Sequence, residues 1–140
     1  MPSFLFNDAK TKILQALLDL DGDTFYACLV TATPAATETQ RIGLTEATGG
    51  NYAIQALTGR TLNNPTASTV RWTFSNPIWN NLTTANSAPI VGMVIVEQAG
   101  GSPATSDQPV CFLEFNTAFT PSGATFQVDI PVNTGVLTAT

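Results

Sequence analysis

Three aspartates at alternate positions, Asp19, Asp21 and Asp23 in the stretch "DLDGD", form the densest patch of negative charge in the chain. An EF-hand calcium loop begins with the pattern D-x-D-G-D, in which such carboxylates ligate the ion. The match then fails, because the sixth position is Thr24 instead of Gly and the twelfth is Val30 instead of a bidentate Glu. We therefore expect a helix-to-strand turn here, with calcium binding by the three aspartates as the alternative.

Few other residues in this sequence could support catalysis. The chain contains no histidine, which excludes Ser-His-Asp and Cys-His nucleophiles and imidazole ligands for zinc. Paired carboxylates could still act as they do in glycosidases, and the candidates on or beside predicted strands are Glu97, Glu114 and Asp129. We expect Glu114, which has apolar neighbours, to lie on a solvent-facing strand surface or in an interface salt bridge. The sequence thus predicts a protein that is not an enzyme and holds no cofactor.

Trp79 and the two cysteines each allow two interpretations. Trp79 could stack on a glycan, but a Trp between Ile78 and Leu82 more often closes the end of a sandwich core, and we expect that role here. Cys28 and Cys111 each lie inside an apolar run, where a free thiol behaves as a small core hydrophobe. A disulfide between them is the alternative, because cysteine pairing cannot be deduced from sequence.

Charge is scarce, and this limits the partners. Only 11% of residues are charged and the net charge is −5, whereas about 25% of residues are charged in an ordinary globular domain. The five Lys and Arg residues are too scattered to follow a phosphate backbone, so we expect no nucleic acid partner. No apolar run reaches the ~18 residues of a membrane span and no signal peptide is recognisable, so we expect a soluble protein made in a cytoplasm, without a membrane partner.

The apolar pattern predicts one short helix followed by strands. Ala9, Ile13 and Leu17 recur at helical spacing, and Asn7 can cap a helix that ends near Leu18. Beyond the aspartate-rich turn, the period changes to two or to continuous apolar runs of strand length. The main strand-like runs are "TFYACLVTA", "TVRWTF", "IVGMVIVEQ", "VCFLEF" and "ATFQVDIPV". Connectors rich in Gly, Pro, Asn and Ser separate them.

These elements predict a mainly β fold. We expect a two-sheet antiparallel β-sandwich, jelly-roll-like, preceded by a short N-terminal helix. A single domain over residues 1–140 is expected, with residues 1–23 as N-terminal arm and helix. The Cys-Trp-Cys order would also suit an immunoglobulin domain, which is the less favoured alternative because nothing else supports an inter-sheet disulfide.

The order of segments resembles a widespread family of small structural proteins of tailed bacteriophages. In that family an aspartate-rich turn introduces a strand, a glycine-containing hairpin follows, and a loop with a Trp leads into a hydrophobic strand. The segments that carry the resemblance are "DLDGDTFYACLVTAT", "LTEATGGNYAIQALTGRTL", "VRWTFSNPIWNNLTTANSAPIVGMVIVEQ" and "GVLTAT". The chain departs from the family in being poor in Lys and in a looser "IWNNLTTANS" segment.

The resemblance implies a virion role. Members are described as virion structural or capsid decoration (cement) proteins, and comparable cement proteins are sandwich or jelly-roll modules that sit as trimers on the outer surface of the capsid. It therefore implies a homo-oligomer, with a trimer favoured, and the major capsid protein as partner. We expect the N-terminal segment Pro2, Ser3, Phe4, Leu5 and Phe6, together with the long loops, to carry the contacts. A tail or fibre protein with a glycan- or host-binding role is the alternative.

Overall fold

The computed structural model describes residues 3–66, 69–85, 88–130 and 135–139. Within them the chain is mainly β, with antiparallel sheets and one α-helix near the N-terminus, as predicted. The helix α1 spans Asn7–Leu14, and a 3₁₀ turn spans Arg41–Gly43. The strands are β1 Phe4–Leu5, β2 Phe25–Val30, β3 Gln55–Ala56, β4 Thr61–Thr66, β5 Thr69–Thr73, β6 Ile78–Trp79, β7 Ile90–Glu97, β8 Gln108–Phe119, β9 Phe126–Gln127 and β10 Leu137–Ala139.

The largest sheet has five strands in the order β1-β8-β7-β2-β3, and all neighbouring strands are antiparallel. We call it the central sheet. Its middle strands come from the continuous apolar runs of the sequence. Strand β2 is buried along its whole length, because both faces of the sheet are covered. The prediction of a buried strand in "TFYACLVTA" is therefore confirmed.

The two cysteines lie on opposite faces of the central sheet. Cys28 stands opposite Val94 and Cys111 stands opposite Ile95, and consecutive residues of a strand point to opposite faces. Both thiols are free and buried. The disulfide alternative is therefore wrong, and the interpretation as core thiols is confirmed.

Aromatic contacts join the central sheet to two smaller sheets, β10-β5-β4 and β6-β9. The ring of Phe25 in β2 lies 5.0 Å from that of Trp72 and 6.1 Å from that of Phe74. At the other small sheet, Phe126 of β9 stacks on Phe119 of β8 with ring centres 4.1 Å apart. Such ring pairs add to the burial of apolar area and fix the relative positions of the strands that carry them.

The segment between β2 and β3 is irregular and covers the opposite face of β2. Arg41 lies over the ring of Tyr26, the neighbour of Phe25, at 5.5 Å from the ring centre. Its guanidinium donates two hydrogen bonds to the Glu46 carboxylate, at 2.8 and 3.0 Å. The hydroxyl of Tyr52 donates to the same carboxylate at 2.8 Å. Because all these polar groups are partnered, a segment with little regular structure can pack tightly against the sheet.

Helix α1 ends earlier than the sequence predicts. Ala16 has a φ of 55°, in the left-handed region, and its N–H donates to the carbonyl of Ile13. The N–H of Leu17 donates to the carbonyl of Lys12. These two bonds and the left-handed residue form a Schellman motif, which closes the helix after Leu14. The aspartate-rich turn is therefore separate from the helix terminus, so its carboxylates do not oppose the helix dipole.

The strand predicted in "ATFQVDIPV" is also shorter, since only Phe126–Gln127 pair in a ladder. Beyond Gln127, hydrogen bonds with the side chain of Asn76 take the place of pairing with a neighbouring strand. The Ile130 N–H donates to Asn76 Oδ1 at 2.8 Å, and Asn76 Nδ2 donates to the Asp129 carboxylate at 3.1 Å. The end of the predicted strand, residues 131–132, lies outside the described residues.

Candidate functional site

The described part of the N-terminal segment, predicted to contact a neighbouring subunit, lies along the edge of the central sheet. Phe4 and Leu5 form β1 at the edge of the sheet, beside β8. The Ser3 hydroxyl accepts a hydrogen bond from a backbone N–H of β8 at 3.1 Å. Phe6 is fully buried, so the expectation of an external contact is corrected for this side chain. Pro2 lies outside the described residues.

The aspartate-rich stretch forms the expected turn, in which carboxylates accept backbone hydrogen bonds. Asp23 Oδ2 accepts from the Asp19 N–H at 2.7 Å, and Asp19 Oδ1 accepts from the Asp21 N–H at 3.0 Å. The Asp23 N–H donates to the Asp19 carbonyl at 2.9 Å. Over residues 3–66, 69–85, 88–130 and 135–139, no group of three His, Cys, Asp or Glu is arranged to hold a metal ion. The geometry of Asp19, Asp21 and Asp23 thus favours the turn over the calcium alternative.

The three carboxylates considered for catalysis do not converge on one point. Glu97 ends β7 opposite Gln108, whereas Glu114 lies further along β8, about 20 Å away at the rise of a strand. Burial raises the pKa of Glu97 above its ordinary value, although Lys12, at 3.8 Å, opposes this shift. Glu114 and Asp129, however, line the same groove. The structure therefore brings together two of the three.

Trp79 closes part of the core and cannot stack on an external ligand. Its side chain is 2% exposed, and its Nε1 donates to the carbonyl of Ala53 at 2.7 Å. Its ring lies 6.0 Å from that of Phe126. The prediction of a core role is confirmed, and the glycan-stacking interpretation of Trp79 is wrong.

The thiols are unsuited to nucleophilic chemistry. Burial raises the pKa of Cys111 to about 12 and raises that of Cys28 still further above its ordinary value. Because the thiolate is the reactive form of cysteine, both side chains are inert at neutral pH.

Apolar side chains from α1, the following turn and the sheet β10-β5-β4 form a groove of about 220 Å³, which we call the apolar groove. Its lining includes Leu5, Ile13, Leu20, Leu62, Val70 and Trp72. Leu62 and Val70 are 43% and 40% exposed. At the end of α1, Leu14 and Leu17 are 88% and 65% exposed. This part of the molecule therefore presents large apolar side chains to solvent.

A second groove, of about 540 Å³, lies between β8 and the segment of β9. We call it the aromatic groove. Its apolar side is lined by Phe115, Phe119 and Phe126, and its polar side includes Asn116, Gln127 and Asp129. The three rings form one cluster, because Phe126 contacts both Phe115 and Phe119. Its volume falls within the range of ~300–1,000 Å³ that is typical of small-molecule sites.

Sequence reasoning missed most of the residues that line the two grooves, although it named Glu114, Asp129 and Leu5. For the aromatic groove a signal was present, because Phe115 and Phe119 in "EFNTAF" have a spacing that places two residues on one face of a strand. For the apolar groove, the signal was the run "ILQALLDL", which has more leucines than a single buried face of a short helix can accommodate. Of the predicted contact residues, Leu5 does line the apolar groove.

Comparison with known proteins adds no relative: no family model matches the chain, and no curated protein or solved structure is significantly similar to it. Among the helical residues that the structure describes, none belongs to a helix long and apolar enough to cross a membrane. The functional argument therefore rests on the sequence and the geometry of this chain.

Proposed function

We propose that this protein is a non-enzymatic virion structural protein that decorates a phage capsid on its outer surface and stabilises it by bridging major capsid subunits. The observation that carries the proposal is the exposed apolar surface at the end of α1 and along the apolar groove. The order of sequence segments, which resembles capsid decoration proteins, supplies the virion context.

Burial of the exposed leucines against another protein surface would favour an assembled protein over a free monomer. Complete burial of a Leu side chain contributes about 1.5–3 kcal/mol relative to exposure. Leu14 is 88% exposed and Leu17 is 65% exposed, so covering both contributes about 2–5 kcal/mol for each copy. A low content of charged residues, 11%, means that little charge must be desolvated when such a surface is covered.

We infer that copies of the chain cover this surface in a homotrimer, and that the trimer contacts several capsid subunits. Bridging then stabilises the shell by multivalency, because separation of two subunits requires loss of several weak contacts at once. The contact of Phe25 with Trp72 and Phe74 supports the finer fold assignment, in which the central and three-stranded sheets are the layers of a jelly-roll-like sandwich.

The assembly state and capsid occupancy test this function. We would compare the wild-type chain with a Leu14→Ser, Leu17→Ser variant by light scattering and by binding to capsids that lack the protein. Ile42→Ser is the matched control, because Ile42 is also a large apolar residue that is 70% exposed but lies in the 3₁₀ turn and not at the end of α1.

The expected result is a trimeric wild type and control, and a double variant that is monomeric and occupies fewer capsid sites. The Ile42→Ser control should melt like the wild type. The double variant should melt at a lower temperature where the wild type is trimeric, because assembly stabilises the folded chain. Once dilution dissociates the wild type, the two should melt at the same temperature, because the changed side chains are exposed in the monomer. A monomeric wild type, or a double variant that assembles and binds capsids like the wild type, would refute the proposal.

A further inference from the structure

The aromatic groove arises from an irregularity in the pairing of β7 with β8. Gly92 pairs with Glu114 and Ile90 pairs with Phe119, so Val91 alone stands opposite the stretch 115–118. Three of these four residues, Phe115, Asn116 and Thr117, line the groove. Bulges of this kind often redirect side chains beside binding sites.

The apolar side of the groove consists of aromatic rings that contact one another. Phe119 and Phe126 stack with ring centres 4.1 Å apart, and Phe115 meets Phe126 edge to face at 5.6 Å. Behind them, the buried ring of Trp79 lies 6.0 Å from Phe126. The three phenylalanines are each partly exposed, so they offer apolar area that is already positioned before a ligand arrives.

The polar side of the groove carries several hydrogen-bonding side chains. The Asp129 carboxylate accepts hydrogen bonds from the side-chain amides of Asn76 and Gln127, which hold its orientation. Asn116 adds an exposed amide with both donor and acceptor capacity. A ligand rich in hydroxyl groups can satisfy such a mixture of donors and acceptors, because each hydroxyl both donates and accepts.

Charge restricts the ligand further. Glu114 and Asp129 line the groove, and the lining that the structure describes includes no Lys or Arg. Anionic ligands such as phosphates and acidic sugars are therefore disfavoured. A small organic cation is a poorer fit, because a cation site surrounds its ligand with several ring faces, whereas Phe119 and Phe126 each turn one of their two faces to the other ring.

We propose that the aromatic groove binds a neutral oligosaccharide, with the apolar face of a sugar ring on the phenylalanine cluster and its hydroxyls on Asp129, Asn116 and Gln127. A sugar ring has an apolar C–H face and a polar hydroxyl edge, which matches the two sides of the groove. This proposal does not depend on the virion role, because it uses none of the residues of the apolar groove.

The experiment is a titration of the full-length, ¹⁵N-labelled chain, followed by amide NMR. The probes are cellotetraose, maltotetraose, mannotetraose and tri-N-acetylchitotriose, with sialyllactose and acetylcholine as charged comparisons. At least one neutral oligosaccharide should cause saturable shifts centred on residues 114–119 and 126–129, and neither charged probe should do so.

Two groove variants and one control complete the test. Phe115→Leu keeps apolar volume but removes a ring, and should weaken binding about tenfold. Asn116→Ala changes an exposed side chain and should weaken binding without lowering the melting temperature. Phe4→Leu is the control, because Phe4 is another partly buried phenylalanine in ring contacts, on the edge strand β1 and outside the groove.

The proposal is overturned if no neutral probe shifts the groove resonances, or if a charged probe alone shifts them. It is also overturned if both groove variants bind as tightly as the wild type, or if Phe4→Leu loses affinity as much as Phe115→Leu does. Melting temperatures of all variants separate a loss of binding from a loss of folding.

Discussion

Replacement of Ala16 by Gly should make the protein more stable. Ala16 has a φ of 55°, and its Cβ makes this left-handed conformation unfavourable by about 1–2 kcal/mol. Gly removes that strain but adds about 0.4–1 kcal/mol of conformational entropy to the unfolded chain. The difference is a gain of about 1 kcal/mol in the free energy of unfolding, or a rise of about 3–5 °C in melting temperature for a chain of this size.

Urea unfolding followed by tryptophan fluorescence measures the change, because Trp72 and Trp79 are both buried. Ala35→Gly is the matched control, since Ala35 is also exposed but is not among the residues with positive φ. It should lower the free energy of unfolding by several tenths of a kcal/mol. A destabilised Ala16→Gly variant, or equal effects of the two substitutions, would show that the Schellman turn is not strained as described.

Three further substitutions test the core. Tyr52→Phe removes the hydroxyl that accepts the Leu29 N–H at 3.0 Å, and should cost about 1–3 kcal/mol in urea unfolding. In the folded state, burial raises the pKa of Glu97 above its ordinary value of 4.5. Just above pH 4.5 the folded protein therefore binds more protons than the unfolded chain, so the free energy of unfolding falls as the pH rises through this window. Glu97→Gln should remove that part of the pH dependence, measured by urea unfolding at a series of pH values. Gly92→Ala would place a Cβ 2.6 Å from the Leu113 carbonyl and should destabilise by about 1–3 kcal/mol or more in the same assay.

The middle of the central sheet could be predicted because burial on both faces leaves a clear sequence pattern. Strands β2 and β7 are nearly continuous apolar runs, and such runs are stable only where both faces are covered. The two-residue strands β1 and β3 carry no such pattern, since their pairing depends on β8 and β2, which are distant in sequence. The sequence therefore indicates the strands at the centre of the sheet more clearly than those at its edges.

Several segments are positioned by polar side chains whose partners are far away in sequence. Asn76 bonds to Asp129 across a separation of 53 residues, and Asn51 accepts from the Thr83 N–H across 32. Asn residues at these positions are indistinguishable from ordinary turn residues when only local patterns are considered. For this reason the convergence of Glu114 and Asp129 on one groove could not be predicted, although both residues were recognised as candidates.

The two proposed surfaces can be separated experimentally, because none of the described residues lines both grooves. Leu14 and Leu17 belong to the region of α1, whereas Phe115 belongs to β8. The Leu14→Ser, Leu17→Ser variant should therefore lose self-association and bind oligosaccharide as the wild type does. Conversely, Phe115→Leu should lose oligosaccharide binding and keep its oligomeric state. Light scattering and NMR titration of both variants check this, and a joint loss in either variant would mean that the aromatic groove is completed only in the assembled form.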